Sequence, residues 1–278
     1  MDQKLTMPNF IIVGAMRSGT TSMARWLGEH PDVFMAPNKE VHYFDRKYDR
    51  GRSWYASHFA NASVESAVGE ATPNYLYNEA ALERIAHDLP TASVIILLRD
   101  PITRAFSHYH HRLSRGEEDL SFDDAIEAEQ ERLMSPDESI RAHYSYVDRG
   151  RYLNQVKRVL QLFSREDVLI QLFENLRDHP ASTFAATARF LNVDATIVPE
   201  IVGRKTNGYQ HFRSLALRSV TQRLPPAAGR LVGRLNRIDS DGYPPMPARA
   251  RARLAEIYAP ERDELASIIG RELDMWSV

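Results

Sequence analysis

The sequence predicts an α/β fold, a parallel sheet with helices on both faces, and two observations predict it. Short apolar runs recur at 10–14 (Phe-Ile-Ile-Val-Gly), 94–98 (Val-Ile-Ile-Leu-Leu) and 168–173 (Val-Leu-Ile-Gln-Leu-Phe). They are continuous rather than alternating, as in strands buried on both faces. Segments with helical spacing lie between them, and strands that alternate with helices pair in parallel.

The elements follow in order. After Gly14 comes a polar loop, Ala15 to Ser22. Met23, Trp26 and Leu27 then mark a helix that Gly28 and His30-Pro31 stop. A short apolar run, Val33-Phe34-Met35, comes next. The strand at 94–98 ends in Arg99-Asp100-Pro101, which starts a helix carrying Arg104, Ser107 and His108. The stretch from Glu117 to Arg141 is highly charged and reads as a solvated helical excursion. Val156, Val159, Leu160 and Phe163 share one side of a helix ahead of the third strand. No repeat or linker interrupts the chain, so a single domain over 1–278 is expected, with an arginine-rich helical part at about 213–278.

Composition narrows the function classes. Hydrophobic residues make up 43% and charged residues 26% of 278, enough for a sizeable core. The formal net charge of −2 gives no global attraction to nucleic acid or to an anionic membrane, so anion binding has to be local. No nucleic-acid partner is expected. The absence of cysteine excludes disulfides, thiolate metal sites and a cysteine nucleophile. No apolar stretch reaches the ~18 residues of a spanning helix. The first residues, MDQKLTMPNF, show no basic start before a long apolar segment, and a cytoplasmic location is the expectation. Nothing in the sequence specifies an oligomeric state.

Two segments read as anion sites. Gly14-x-x-x-x-Gly19-Thr20-Thr21 joins a strand to a helix. Glycine permits close approach to the backbone, and a helix N-terminus offers unpaired N–H groups with partial positive charge. The spacing is that of a P-loop, yet Thr20 stands where the Walker lysine would be and the cation is Arg17, inside the loop. Such a loop, with Arg17, Ser18, Thr20, Thr21 and Ser22, can hold a smaller anion than a metal-bound triphosphate. A plain helix cap is the alternative. The second segment, RDPITRAFSHY from Arg99 to Tyr109, leaves the carboxyl end of a strand, where open α/β sheets bind ligands. Arg99 and Ser107 converging there would suit a monophosphate; a local Arg99–Asp100 pair is the alternative.

Together these segments resemble the donor-binding motifs of sulfotransferases that use 3′-phosphoadenosine 5′-phosphosulfate (PAPS), nearest to the heparan-sulfate, Golgi type and its bacterial relatives. Arg17-Ser18-Gly19-Thr20-Thr21 is similar to their K-x-G-T-T loop. Arg99, Asp100, Pro101, Arg104, Ala105, Ser107 and Tyr109 match R-D-P-x-x-R-A-x-S-x-Y. Arg149-Gly150-Arg151-Tyr152 also resembles the family, as does the stretch from Gly203 through Arg204, Lys205, Thr206 and Asn207 to Gly208, where the family has a basic loop that closes on the nucleotide. The likeness runs from Asn9 to Phe212, with a weaker C-terminal helix ending at Trp276. It implies a P-loop kinase-like three-layer sandwich and PAPS as sulfuryl donor. The product would be 3′,5′-ADP (PAP), no metal would be required, and the acceptor would be a glycan or small-molecule hydroxyl or amine.

Lys39-Glu40-Val41-His42-Tyr43-Phe44-Asp45 resembles the E-V-H-F-F-D segment of heparan-sulfate 3-O-sulfotransferases, whose glutamate is the general base. That likeness gives the role to Glu40 and assigns Arg17 the charge on the leaving phosphate. Other readings stay open: Glu40 pairs with Lys39 or Lys47, or His42, whose ordinary pKa suits proton transfer near neutrality, is the base. Tyr43, Phe44, Tyr48, Trp54 and Tyr55 line an acceptor pocket or belong to the core. Glu70-Ala71-Thr72-Pro73-Asn74-Tyr75 is similar to the family's E-K-T/S-P-x-Y, but Ala71 replaces the lysine, whose role is absent or falls to Lys39. From Arg204 to Arg253 there are ten arginines and Lys205 against Asp239 and Asp241. Arg204, Lys205 and Arg213 are candidates to neutralise the nucleotide, and the part beyond Arg218 reads as a helical hairpin with a solvated basic face. A P-loop kinase using ATP and Mg²⁺, and a non-catalytic nucleotide-binding protein on the same fold, are the rival functions.

Overall fold

The computed structural model describes residues 5–38, 40–204, 209–212, 237–240 and 243–277. The chain divides into two compact units that alternate along it. The first takes the chain to Asp100, then Arg151–Arg204 and Glu261–Ser277; the second takes Pro101–Gly150 and Lys205–Pro260. The strands are β1 (Phe10–Gly14), β2 (Val33–Met35), β3 (Ala67–Ala71), β4 (Ser93–Leu98), β5 (Val168–Leu172), β6 (Tyr209–Phe212) and β7 (Arg237–Ser240). The helices are α1 (Thr20–Leu27), α2 (Tyr43–Arg46), α3 (Gly51–Ser57), α4 (Glu79–Asp88), α5 (Pro101–Arg115), α6 (Phe122–Leu133), α7 (Glu138–Tyr144), α8 (Tyr152–Leu162), α9 (Phe173–Asp178) and α10 (Pro180–Phe190). The helix Ala248–Ile269 is α11 here.

The first unit is built on a parallel sheet of order β2-β3-β1-β4-β5. Phe10, Ile12, Ile95 and Leu97 join Met23, Trp26 and Leu27 of α1 and Phe184 and Ala188 of α10 in one core. Side chains alternate along a strand, so Ile11, Val13, Val94 and Ile96 face the other way, and they too are wholly buried. Both faces of the sheet are therefore covered, which is the α/β arrangement expected. On the second face the turn at Tyr75–Tyr77 lies so close that a Cβ on Gly14 would meet Leu76 Cβ at 2.5 Å.

The second unit has its own core, in which Ile102, Ala105, Phe106 and Tyr109 of α5 meet Phe122, Ala125 and Ile126 of α6 and Ala250, Leu254 and Tyr258 of α11. The reading of Glu117–Arg141 as a solvated excursion is corrected here. Glu118 is buried and takes two hydrogen bonds from Arg132, at 2.6 and 3.1 Å. Glu129 is buried and accepts the amides of Val147 and Asp148 at 2.7 and 2.8 Å. Charge density misled because these carboxylates are satisfied internally.

In the arginine-rich part, Arg249, Arg251 and Arg253 are exposed on α11 while Ala250 and Leu254 are buried. Residues 237–240 form a strand, paired antiparallel with β6, and not a helix. Arg213 and the segment through 236 lie outside the described residues, as do Lys39 and Lys205–Gly208. The last helix ends at Ile269, short of Trp276.

Gly69 on β3 has no room for a side chain: a Cβ there would sit 2.4 Å from the Phe10 ring, in the middle of the core. Gly69→Ala should therefore lower stability by about 1–3 kcal/mol, the usual cost of overpacking. Chemical denaturation of the two proteins measures it.

Candidate active site

Because β3, β1 and β4 are parallel neighbours, their carboxyl ends share one edge of the sheet. Ligands of open α/β sheets bind outside that edge. The loops leaving these strands, and the segment that follows their parallel neighbour β2, carry the motifs singled out in the sequence.

The loop after β1 runs from Ala15 into α1. Arg17 has φ +70° and Gly19 φ +87°. Glycine is needed at 19, since a Cβ would approach Leu176 to 2.9 Å and Phe173 to 3.0 Å in a left-handed conformation. Arg17 adopts that conformation despite its side chain, at a cost of about 1–2 kcal/mol. Such strain gathers at functional sites. Among the described residues, the non-glycine residues with positive φ are Arg17, His42 and Asn192, so two of them fall in the predicted site. Ser18 is buried, and its Oγ has no hydrogen-bond partner among the described residues. Thr20 is buried, and Thr21 and Ser22 are partly exposed on the first turn of α1.

The loop after β4 meets this one. Arg99 Nη1 donates to the Arg17 carbonyl at 3.3 Å, and its guanidinium lies 4.6 Å from the centre of the Phe173 ring. Tyr152 OH donates to the Arg99 carbonyl at 3.0 Å. The Asp100 amide donates to Glu174 at 3.0 Å, whose other oxygen accepts Trp276 Nε1 at 3.3 Å. Asp100 in turn accepts the Ser277 amide at 3.4 Å. Arg17, Arg99 and Tyr152 are thus brought together, with Glu174 and Trp276 bracing the turn. No sequence signal marked that brace, because its partners lie 74 and 102 residues apart.

Ser107 belongs to the second unit. It lies buried on α5 with its hydroxyl 2.8 Å from that of Tyr243. Arg204 is exposed and 3.9 Å from Glu200.

The segment of Glu40 and His42 follows β2, and the loop after β3 meets it, with the His42 amide donating to Thr72 Oγ1 at 3.4 Å. Glu40 Oε2 is 3.4 Å from His42 Nε2, and His42 Nδ1 is 2.9 Å from Asp45 Oδ2. The Asp45 side chain is fully buried and also accepts Asn74 Nδ2 at 2.6 Å. Burial acts to lower the His42 pKa, but hydrogen bonds to Asp45 and Glu40 and the Asp45 charge outweigh it and raise it to about 9. Burial works against ionisation of Asp45, yet His42 and Asn74 hold its carboxyl below the usual range. At neutral pH His42 is therefore an imidazolium donating to two carboxylates. Asp45 was missed as a partner of the histidine, although its +3 spacing was on view, and Asn74 as a partner of Asp45. Tyr43, Phe44 and Tyr55 are core, with Tyr43 stacked on Tyr55 at 4.5 Å.

The arrangement offers cations and helix amides for an anion beside an exposed carboxylate that an imidazolium orients. Residues 7–219 match the family described as sulfotransferase domain, and the chain belongs to that family. The membrane-associated sulfotransferase kil1 of Dictyostelium discoideum is 35% identical over 163 residues, covering 55% of this chain and 34% of that protein. The bifunctional heparan sulfate N-deacetylase/N-sulfotransferase 3 of Mus musculus is 28% identical over 97% of this chain and 31% of its own length. The heparan sulfate glucosamine 3-O-sulfotransferase 3B1 of Homo sapiens is 27% identical over 91% and 61%. The chain thus spans from about a third to three fifths of these relatives. Among solved structures, a sulfotransferase from Alicyclobacillus acidocaldarius superposes with a TM-score of 0.77 at 29% identity, over 98% of this chain and all of that one. Mouse SULT7A1 complexed with PAP shares the fold, with a TM-score of 0.53 at 12% identity over 95% and 87%.

The histidine clamp has a pH signature. Its folded pKa lies above the ordinary value, so its stabilisation is complete below about pH 6.5 and is lost as the pH rises through about 9. Unfolding free energy should fall over that window by on the order of 2–3 kcal/mol more than in His42→Asn. Denaturation at several pH values, with an NMR titration of the His42 ring, reads both.

Proposed function

We propose that this chain transfers the sulfuryl group of PAPS to a hydroxyl or amine of a glycan or small metabolite. The observation that carries the reading is the convergence on one sheet edge of the Arg17 loop, the Arg99 turn and the Glu40–His42–Asp45 chain. The loop fits a phosphosulfate on structural grounds. Ser18 Oγ is a buried hydroxyl with no partner among the described residues, Arg17 is held in a strained conformation, and the N-terminal amides of α1 follow directly. Arg17, Ser18, Gly19, Thr20, Thr21 and Ser22 would hold the 5′ end, and Arg99, fixed by Tyr152, the 3′-phosphate. PAPS, when bound, supplies a sulfuryl group on an oxygen of its 5′-phosphate, which leaves with the bonding electrons.

The residues of this chain do the rest. Glu40 accepts the acceptor's proton as the new O–S or N–S bond forms. His42, already protonated, holds Glu40 and takes its own orientation from Asp45, which favours Glu40 over His42 as the base. Arg17 and the loop amides stabilise charge on the departing phosphate oxygen. A glycan acceptor draws support from the heparan sulfate relatives. Sulfation of heparan-sulfate oligosaccharides by labelled PAPS, followed by mass spectrometry, tests it, with small alcohols and phenols as the other arm.

Two outcomes are expected. 3′,5′-ADP should raise the melting temperature well above the shift given by 5′-AMP, because binding favours the native state and Arg99 reads the 3′-phosphate. Glu40→Gln should lower kcat roughly 10²–10⁴-fold, the usual contribution of a general base, and leave 3′,5′-ADP affinity nearly unchanged. Steady-state kinetics with calorimetric titration separates the two effects.

A further inference from the structure

Glu70 on β3 is fully buried, and the proposed chemistry does not use it. A carboxyl at zero exposure is costly unless it is fully hydrogen-bonded, and here it is. Tyr75 OH donates to its Oε1 at 2.9 Å and Tyr55 OH to the same atom at 3.1 Å. Thr72 Oγ1 donates to Oε2 at 2.5 Å, and the Val41 amide is a further donor.

The directions of these bonds are fixed. Tyr75 oxygen already receives the amides of Tyr43, at 2.9 Å, and Phe44, at 3.4 Å. Thr72 Oγ1 receives the amide of His42 at 3.4 Å. Backbone amides only donate, so each hydroxyl must pass its own hydrogen on to the carboxylate. Burial pushes the Glu70 carboxyl up to about 7, and the donors restrain that rise. Burial and the neighbouring Glu70 push both phenols well above the ordinary range, so they remain donors.

Val41, His42, Tyr43 and Phe44 are consecutive, and they directly follow Glu40. We infer that Glu70 is a positioning residue: directly and through Thr72 and Tyr75, its carboxylate fixes the backbone of 41–44 and so aims Glu40 and His42. This rests on the assignment of Glu40 as general base. The left-handed backbone of His42, φ +56°, is the conformation that such a scaffold has to hold.

Glu70→Gln tests it, because glutamine keeps the shape but turns one acceptor into a donor facing groups that donate to the carboxylate in the native protein. Activity is normalised to sites counted by 3′,5′-ADP titration, which removes any loss through unfolding. Normalised kcat should fall about 10²-fold, the scale of a misplacement of ~1 Å, with 3′,5′-ADP affinity unchanged. Tyr75→Phe should lower kcat in the same way, and the double variant should lose no more than the larger single loss, since the two act along one path. A Glu70→Gln protein with kcat within twofold of wild type, or losses that multiply in the double variant, would overturn the inference. If Glu70→Gln binds no nucleotide, Tyr75→Phe and Thr72→Val decide alone, and full kcat in both rejects it. Glu40→Gln in the same assay keeps the two readings apart, since full activity there removes the base and leaves the Glu70 result to be judged by itself.

Discussion

Parallel pairing of β1 between β3 and β4 is the constraint on which the rest of the site depends. With β2 beside β3, it sends the segments that follow these strands off the same edge of one sheet, so residues 30 and 82 positions apart in sequence become neighbours without any linking element. Apolar side chains on both faces hold the strands in that order, and burial at roughly 25 cal/mol per Å² of apolar surface is what enforces it. The polar contacts at the edge, such as Arg99 to the Arg17 carbonyl, then add orientation more than stability.

The site divides its charge. Around the β1 and β4 loops the protein sets cations and amides, with Arg17 strained and Ser18 Oγ without a partner among the described residues. Around β3 and the segment after β2 it sets carboxylates: Glu40 about half exposed, Asp45 and Glu70 buried. His42 lies between two of these and is protonated by them. Under the proposed reading, cationic loops beside an exposed carboxylate suit transfer of a negatively charged group to a neutral nucleophile. No residue is asked to carry both roles.

Much of this was legible in the sequence. The strands at 10–14, 94–98 and near 168 were plain because buried parallel strands read as unbroken apolar runs. The loop glycines and Arg17 were plain because few other patterns join a strand to a helix in that way. β3 was not seen, since Ala-Val-Gly-Glu-Ala is short, weakly apolar and carries a charge. That same charge is Glu70, whose significance depends on contacts with Thr72, Tyr75 and Val41 that no periodicity reveals. The Glu174–Trp276 brace was hidden for a similar reason. Glu118 and Glu129 looked solvated because composition does not say which carboxylates find partners inside.

The central claim is that a 5′-phosphosulfate sits on the loop between β1 and α1, within reach of Glu40. A crystal structure of the protein with 3′,5′-ADP tests it most directly. The account predicts the 5′-phosphate on the loop amides, with Arg17 and Ser18 Oγ as partners, the 3′-phosphate at Arg99, and the Glu40 carboxylate facing the vacant side of the 5′-phosphate. A nucleotide bound away from that sheet edge, or with its 5′-phosphate turned from Arg17 and Glu40, would contradict it.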